Sequence, residues 1–402
     1  MFVAIAQGYG HDVNNTSFKQ PDYNRMACAL FGAAVGDALG RVTEFIPSKV
    51  DIYNLYPHGV NWLDDIERIS LVEGKQGYPY TDDTVMALIV VEELEENYHQ
   101  PEKAINGMAH RFVDLFDPQK MYAIDPLFNL RAHGVTNSIA SREIGKLFKQ
   151  GKSWQDREKT FEKIKAEGGC GSVMRAWPIG FFYADDIERA LCVADMQSCL
   201  THRHPMARAA CAAIAVGFAM LCNGQQPNEV AHAMINAADR YAPEEALYKR
   251  QCTKISDVLE QNLLLIQQDR LVTSDMLRYA YWAAQNTVHP NIVLGLKNDQ
   301  QSNHRSRSGA LLGWAADEAA AAALYIFLRH KNNFFEAISE AVNTPGDSDS
   351  IASLVGAFSA YLYGSEDLFK RAHAFELEGA DLIVNFKQSH YLHGSNHSAL
   401  GN

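Results

Sequence analysis

Four long segments with apolar residues at helical spacing constrain the fold of this chain more than any other feature. They are NRMACALFGAAVGDALG (24–40), TDDTVMALIVVEELEE (81–96), HPMARAACAAIAVGFAMLCNG (204–224) and GALLGWAADEAAAAALYIFLRH (309–330). Apolar side chains at every third or fourth position form one face of a helix. Because the Ala-rich segments have little polar face, their helices must be buried against one another. Alternating strand patterns are scarce. The sequence therefore predicts an all-α fold, a compact orthogonal helical bundle.

The composition suits a globular protein of a reducing compartment. The chain has 402 residues, 47% of them apolar, and a net charge of −12 without a basic block. This charge argues against binding nucleic acid through a general phosphate-neutralising surface. The seven cysteines form no Cys-x-x-Cys pair and are odd in number, unlike a disulfide framework. The N-terminus lacks a signal-peptide pattern, and no window holds the roughly 18 continuous apolar residues of a membrane span. We therefore expect a cytoplasmic protein with no nucleic-acid or membrane partner.

Three regions are expected along the chain. Residues 1–22 form a polar N-terminal arm or extension, residues 23–390 the helical domain, and residues 391–402 a polar tail. Within the domain, residues 45–80 are rich in Tyr, Pro and Gly and contain no periodic element. A loop this long is uncommon in a compact domain unless it is functional.

Two expected helix starts each carry a pair of acidic residues. Asp82 and Asp83 lie in YTDDTVMAL, and Asp347 and Asp349 lie in PGDSDSIASL. Helix capping is the simpler explanation of either motif alone. Capping needs only one carboxylate, however, and neighbouring acids repel unless a cation or proton neutralises them. Four carboxylates with adjacent hydroxyls favour Mg²⁺, Mn²⁺ or Ca²⁺ over zinc. Two such helix starts brought together could hold two ions.

Five motifs, in order, resemble those of the ADP-ribosylglycohydrolase family. They are GAAVGDALGRVTEF, YTDDTVMAL, GGCGSVMRAWPIG, THRHP and PGDSDSIASLVGAFSAYLYG, and they span most of the chain. Each motif is weak alone, but five in the family's order are specific. The resemblance implies an all-α fold with a two-metal site at helix N-termini. It also implies an enzyme that cleaves the N- or O-glycosidic bond between ADP-ribose and an acceptor.

The resemblance assigns the metal site and the catalytic groups. The family's metal-binding positions fall on six residues: Thr81, Asp82, Asp83, Asp347, Asp349 and Ser350. Ser350 stands where the family commonly has Thr. The implied cofactor is a pair of Mg²⁺ ions, with Mn²⁺ as the alternative. Glu44 matches an acidic residue near the metals, although a solvated loop acid is an equal reading. The catalytic candidates are Glu44, Asp82 and Asp349.

The resemblance also points to a substrate-binding set: Gly134, Val135, Thr136, Gly169, Gly171, Ser172 and His202. HGVTNSIA looks like the family's loop before a helix, where backbone N–H groups meet phosphate; a simple turn is the alternative. In GGCGSVMR, small residues let the backbone approach a ligand closely, and Cys170 stands where many relatives have Asn. Arg175 is expected to be a structural ion-pair residue, and Asp37 to support the metal ligands from behind. Trp177 is expected in the core.

The expected function is Mg²⁺-dependent removal of ADP-ribose from a modified protein side chain, with arginine as the favoured acceptor. The partner is then an ADP-ribosylated protein or an ADP-ribose conjugate. Because some bacterial members of the family reverse modification by transferase toxins, an immunity role is a further expectation, with residues 1–22 blocking the toxin. The alternatives are a non-enzymatic relative that binds ADP-ribose or a partner, and a hydrolase of a small ADP-ribose conjugate.

Overall fold

The computed structural model describes residues 22–61, 65, 69–70, 76–118, 120, 134–157, 167–248, 271–286 and 312–363. Regular structure in these residues is helical except for one short antiparallel pair, β1 (Ile69–Ser70) and β2 (Gln76–Gly77), with Ile69 opposite Gly77. The all-α prediction is therefore confirmed. The helices are α1 (Tyr23–Gly40), α2 (Lys49–Leu55), α3 (Asp82–Asn97), α4 (Pro101–Leu115), α5 (Val135–Lys149), α6 (Trp177–Phe182), α7 (Ile187–Thr201), α8 (Pro205–Cys222), α9 (Pro227–Asp239), α10 (Thr273–Gln285), α11 (Ala316–Arg329), α12 (Phe334–Val342) and α13 (Ser348–Tyr363), with 3₁₀ turns at Trp154–Asp156 and Cys170–Ser172.

Helices α1 and α13 pack together more closely than side chains would allow. A Cβ added to Gly32 would lie 2.3 Å from the carbonyl oxygen of Gly356, and one added to Gly36 would lie 2.1 Å from that of Ala352. Only glycine permits such an approach between two helix backbones. The contact continues to the end of α1, where Gly40 faces the backbone of Asp349. The C-terminal end of α1 is thereby held against the N-terminal end of α13.

Helix α8 lies at the centre of the core. It is long and apolar enough to cross a membrane, with a mean hydropathy of 1.7, but 78% of it is buried inside the protein. Its Phe218 ring lies 5.0 Å from the ring of Trp177 and meets Phe358 and Tyr361 edge-on at 5.2 and 5.1 Å. Such burial is typical of a core helix. Trp177 is fully buried, as predicted.

The segment 45–80 is less irregular than expected, because it contains α2. The Ser48 side chain caps this helix by accepting the N–H of Asp51 at 3.1 Å. The helix has seven residues and buries only Ile52. A single buried position gives no periodic pattern, which is why the sequence did not reveal the helix.

Candidate active site

The two acidic helix starts predicted from the sequence meet at one place. Asp83 lies in the first turn of α3, Asp349 in the first turn of α13, and Asp347 immediately before α13. Carboxylate oxygens of Asp37, Asp83 and Asp349 all lie within 4.8 Å of one another, and so do those of Glu44, Asp347 and Asp349. Each of these five side chains is buried. The structure therefore forms two carboxylate groups that share Asp349.

Asp37, from the second half of α1, organises the start of α3. Its oxygens accept the backbone N–H of Thr81 at 2.9 and 3.0 Å and the Thr81 hydroxyl at 2.8 Å. They also accept the N–H and hydroxyl of Thr84 at 2.9 and 2.6 Å. The N-terminal end of the α3 dipole thus faces the buried charge. Because Asp37 is also a member of the first carboxylate group, its expected role behind the metal-binding groups stays a prediction.

Thr43 ties the end of α1 to the start of α13. Its hydroxyl lies 2.9 Å from the Gly40 carbonyl oxygen, 2.5 Å from that of Val342 and 2.9 Å from Ser348 Oγ. Glu44 follows directly and is 9% exposed. Of the two readings of Glu44, the solvated loop acid is therefore wrong, because its carboxylate is buried within the cluster.

Burial and mutual repulsion perturb the acids of this cluster. Burial raises the pKa of Asp347 to about 6. Burial, and then the charges of the neighbouring acids, raise the pKa values of Asp83 and Asp349 well above their ordinary range. Asp83 Oδ1 is buried and accepts no hydrogen bond from the part of the chain that the structure describes. A divalent cation would both neutralise the repulsion and satisfy this oxygen. The carboxylate set fits Mg²⁺ or Mn²⁺.

Not every predicted metal ligand joins the two carboxylate groups. A Cβ on Gly134 would lie 2.8 Å from Asp82 Oδ2, so the Asp82 carboxylate faces the predicted phosphate-binding loop. Thr81 is the N-cap of α3, and its hydroxyl donates to Asp37. Ser350 is buried, and its hydroxyl lies 3.6 Å from Cys170 Sγ. Asp82 thus stands between the cluster and the loop.

Asn137 joins the two glycine-containing loops. Its Nδ2 would lie 2.5 Å from a Cβ on Gly134 and 2.6 Å from one on Gly171. Its Oδ1 accepts a hydrogen bond from Arg175 at 3.0 Å. The structure therefore brings the start of α5 to the turn Cys170–Ser172. Sequence reasoning did not single out Asn137, whose signal is its place three residues after the glycine in HGVTN.

His202 borders the same turn. A Cβ on Gly171 would lie 2.9 Å from His202 Cε1, and His202 Nδ1 lies 2.8 Å from Thr201 Oγ1. Burial, with nearby guanidinium charges, lowers the pKa of His202 well below its usual range, so the ring is neutral near pH 7. The Ser172 hydroxyl instead lies 3.1 Å from Ser198 Oγ within the core. Any substrate contact by Ser172 would therefore use its backbone.

Arg175 supports the turn from inside the protein. It donates to Gln197 and Thr201, both at 2.6 Å, and its guanidinium carbon lies 4.3 Å from the centroid of the Phe112 ring. Burial lowers its pKa to about 9. The expectation of an ion pair is wrong for the described residues, because these hydrogen bonds go to uncharged groups.

A buried ion-pair network fixes the segment that precedes the turn. The Glu167 carboxylate binds Arg157, and it also accepts from Arg203 Nε at 2.9 Å. Arg157 binds Glu143 as well, at 2.9 Å. All four side chains are buried. Glu167, directly before Gly168 and Gly169, is therefore paired with two guanidinium groups.

Buried carboxylates at two helix starts, beside two glycine-containing loops, define a candidate divalent-cation enzyme. A family model described as ADP-ribosylglycohydrolase matches residues 19–385. The ADP-ribosylhydrolase ARH3 of Xenopus tropicalis is 26% identical over 364 residues, covering 86% of this chain and 89% of the relative. The ADP-ribosylarginine hydrolase Tri1 of Serratia proteamaculans (strain 568) is 24% identical over 355 residues, covering 85% of this chain and 72% of the relative.

A solved structure agrees at the level of the fold. A chain of an ADP-ribosylglycohydrolase-related protein complex superposes with a TM-score of 0.51 and 18% identity, over 90% of this chain and 95% of that one. This chain belongs to the ADP-ribosylglycohydrolase family. The predictions of the family, of the all-α fold and of a glycohydrolase enzyme are thereby confirmed.

Proposed function

We propose that this protein is a Mg²⁺-dependent ADP-ribosyl-acceptor hydrolase that removes ADP-ribose from a modified protein side chain, with arginine as the favoured acceptor. The observation that carries this proposal is the contact between the carboxylate cluster and the two glycine-containing loops. Cys170 Sγ, in the turn, lies 2.7 Å from Asp347 Oδ2, and Asp82 faces Gly134. A cation site therefore adjoins an anion-binding backbone, which suits a ribose joined to a diphosphate.

The carboxylates divide the work within this site. Asp83, Asp347 and Asp349 would hold Mg²⁺ or Mn²⁺. When bound, the cations would polarise ribose hydroxyls and offset charge that develops at the glycosidic bond. The departing acceptor needs a proton, which a carboxylate that holds a cation cannot supply. We therefore assign that transfer to Glu44, which lies beside Asp347 and Asp349.

The start of α5 supplies the diphosphate site. Gly134 caps this 15-residue helix without a side-chain hydrogen bond. Val135 and Thr136 are the first residues of this helix, and the N-terminal end of a helix attracts phosphate through its backbone N–H groups and its dipole. The turn at Gly169–Ser172 adds small residues that let the ligand reach the backbone. The neutral His202 ring beside it can exchange a hydrogen bond with a ribose hydroxyl or a phosphate.

An aromatic pair formed by the exposed Phe45 and the half-buried Trp314 supports arginine as the acceptor. Phe45 is 48% exposed, and its ring stacks on Trp314 with centroids 5.1 Å apart. Its φ of +67° is held by hydrogen bonds Phe45 N→Gly346 O (2.9 Å) and Gly346 N→Ile46 O (3.1 Å). This backbone costs a non-glycine residue about 1–2 kcal/mol, as strain retained at functional sites does. A guanidinium is a cation that binds aromatic faces and pairs with acids such as the adjoining Glu44, whereas a serine hydroxyl carries no charge.

The test is release of free ADP-ribose from arginine-linked and serine-linked substrates, with Mg²⁺, Mn²⁺ or EDTA. We expect cation-dependent release from the arginine-linked protein, and rates at least about 100-fold lower for Glu44→Gln. Asp349→Asn should also lose the cation-dependent release of ADP-ribose. Asp185→Asn, an exposed carboxylate on the surface, is the matched control and should retain the wild-type rate.

Each other outcome changes a defined part of the proposal. Release from serine-linked protein alone would overturn the acceptor assignment, and equal release in EDTA would overturn the role of the cation. Release from a small conjugate such as O-acetyl-ADP-ribose alone would identify that class of substrate. ADP-ribose binding without release from any substrate would favour the non-enzymatic alternative.

The cytoplasmic location and the immunity role are parts of the same proposal. Residues 1–21 of the expected arm lie outside the described residues, as does the tail at 391–402. Copurification with an ADP-ribosyltransferase, lost when residues 1–21 are deleted, would support blocking by the arm. If the protein without residues 1–21 protects cells equally well, hydrolysis would be its sole means of protection.

A further inference from the structure

One buried guanidinium, that of Arg175, orients two polar side chains beside the turn Cys170–Ser172. Its Nη1 donates to Asn137 Oδ1 at 3.0 Å, and its Nη2 donates to Thr201 Oγ1 at 2.6 Å. Arg175 itself is fully buried. Because a guanidinium only donates hydrogen bonds, each of its partners must meet it with an acceptor oxygen. Arg175 therefore decides which atoms of Asn137 and Thr201 are left to face other groups.

The Asn137 amide consequently presents its NH₂ group to the two glycine-containing loops. Because Oδ1 faces Arg175, the atom near the loops is Nδ2, which lies 2.5 Å from a Cβ added to Gly134 and 2.6 Å from one added to Gly171. Asn137 is 1% exposed. Its Nδ2 donates no hydrogen bond to the part of the chain that the structure describes. A buried donor of this kind is unfavourable unless a ligand accepts from it.

The same guanidinium fixes the tautomer of His202 through Thr201. Because Thr201 Oγ1 accepts from Arg175, its own hydrogen can donate to His202 Nδ1, which lies 2.8 Å away. Nδ1 is then the acceptor of a neutral ring, so the ring proton lies on Nε2. The Cε1–Nε2 edge of the ring faces the turn: Cε1 lies 2.9 Å from a Cβ on Gly171, and Nε2 lies 3.6 Å from one on Gly169. His202 is 2% exposed, and within the described ranges its Nε2 makes no hydrogen bond.

Two buried N–H donors therefore face the glycines of one turn. Both donors are neutral, but the charge of Arg175 lies behind them. Gly169 and Cys170 are half-buried, so a ligand can reach the turn. A phosphoryl oxygen accepts hydrogen bonds without donating any and carries negative charge, which suits two donors backed by a buried cation. A sugar hydroxyl suits them less well, because it also needs an acceptor for its own hydrogen.

We infer that Asn137 Nδ2 and His202 Nε2 donate to a phosphoryl oxygen of the ADP-ribose diphosphate, and that Arg175 is the positioning residue that makes both of them donors. The inference rests on the proposed function, because it assigns side-chain contacts within the proposed substrate site. These donors add to the backbone N–H groups at the start of α5, to which the same diphosphate is assigned.

The test is binding of ADP-ribose and of inorganic pyrophosphate in the presence of Mg²⁺, measured by isothermal titration calorimetry. Asn137→Asp still offers an oxygen to Arg175 but presents an acceptor to the ligand in place of a donor. We expect its Kd to rise about 10- to 100-fold for both ligands. The matched control is Asn228→Asp, at an exposed asparagine whose Oδ1 accepts from Gln285 at 2.8 Å, and both Kd values should stay unchanged. If circular dichroism shows that Asn137→Asp does not fold, Asn137→Ala takes its place.

Thr201→Val tests the positioning by Arg175, because it removes the hydroxyl that links the guanidinium to the ring of His202. Nitrogen-15 NMR of the histidine side chains reports which ring nitrogen carries the proton. We expect the Nε2–H tautomer of His202 in the wild type and a mixture of tautomers in Thr201→Val. The Kd for ADP-ribose should rise about 3- to 10-fold in the same variant.

The outcomes separate this inference from the proposed hydrolase. Unchanged Kd values in Asn137→Asp, or a wild type that binds neither ligand, overturn the diphosphate contact. Weaker binding of ADP-ribose alone overturns the phosphate assignment in favour of a ribose hydroxyl, and an Nδ1–H tautomer in the wild type overturns the role of Arg175. Release of ADP-ribose from modified protein is measured in parallel. Pyrophosphate binding that weakens as expected in Asn137→Asp, without such release by the wild type, would remove the hydrolase and leave the diphosphate site.

Discussion

The stabilisation that a divalent cation gives this protein should depend on pH in a defined direction. Burial raises the pKa of Asp347 to about 6 from an ordinary 3.8, and raises those of Asp83 and Asp349 in the same direction. The folded protein therefore binds protons more readily than the unfolded chain. In the metal-free protein, the ionised cluster lowers stability above about pH 6, and acidification removes that cost. For Asp347 alone the cost is about 3 kcal/mol, at about 1.4 kcal/mol per pH unit.

Above pH 6, a bound cation offsets the loss of stability that the ionised cluster causes. Below pH 6, the cation competes with protons for the carboxylates. At a cation concentration about 100 times Kd, binding adds about 2.7 kcal/mol to the free energy of unfolding. About one pH unit below the pKa of Asp347, displacing one proton weakens cation affinity about tenfold. The added stability at the same concentration then falls to about 1.4 kcal/mol.

Urea unfolding, followed by far-ultraviolet circular dichroism, measures this difference. Stability with Mn²⁺ minus stability with EDTA is compared from about pH 8 to about pH 5. The lowered pKa of His202 has the opposite effect, since its stability contribution is lost as pH falls below the ordinary histidine value. That contribution is present with and without cation, so the difference cancels it. Asp349→Asn should show an increment near zero at every pH. A wild-type increment that is constant, or that grows toward low pH, would refute the reasoning.

Three further substitutions test the packing, the buried charges and the acceptor site. Gly36→Ala places a Cβ 2.1 Å from a carbonyl oxygen of α13; we expect a loss of at least about 1–3 kcal/mol in urea unfolding and weaker cation binding. Gly107→Ala, whose Cβ meets only a flexible Glu side-chain end, should change neither. Glu167→Gln leaves two buried guanidinium groups without their shared charge and should cost about 3–5 kcal/mol. Glu188→Gln, at an exposed ion pair, should lower the free energy of unfolding by about 1 kcal/mol or less. Equal losses of stability in Glu167→Gln and Glu188→Gln would contradict the role given to burial. Phe45→Gly relieves the positive φ and removes the ring: KM for arginine-linked substrate should rise about two- to thirtyfold with kcat little changed, and an unchanged KM would exclude Phe45 from acceptor binding.

Much of the fold could be predicted because its signals are local. The spacing of apolar residues over a few turns indicates α1, α3, α8 and α11. The acidic starts of α3 and α13 are also visible as short motifs, and so is the family that the five motifs indicate. Helix α2 escaped this reasoning because it has one buried residue. The domain limits at 23 and 390 stay predictions.

The site depended more on contacts between distant parts of the chain. Phe45 and Trp314 lie far apart in the chain, and the sequence around each residue does not predict that their rings stack. The sequence grouped Asp82 with Asp83, yet neighbouring residues at a helix start point in different directions. Asp83 joins the cluster, whereas Asp82 faces Gly134.

The sequence by itself determined which chemical groups this protein can use. These are helical segments, paired carboxylates at helix starts, and glycines where a ligand can meet the backbone. Only the tertiary structure decided that the close crossing of α1 and α13 makes Asp349 common to two carboxylate groups. Only the tertiary structure placed the Cys170 thiol against Asp347. The physical reason is that residue types set the available donors and charges, whereas pKa values and cation affinity depend on distance and burial. Packing between residues far apart in the chain sets both.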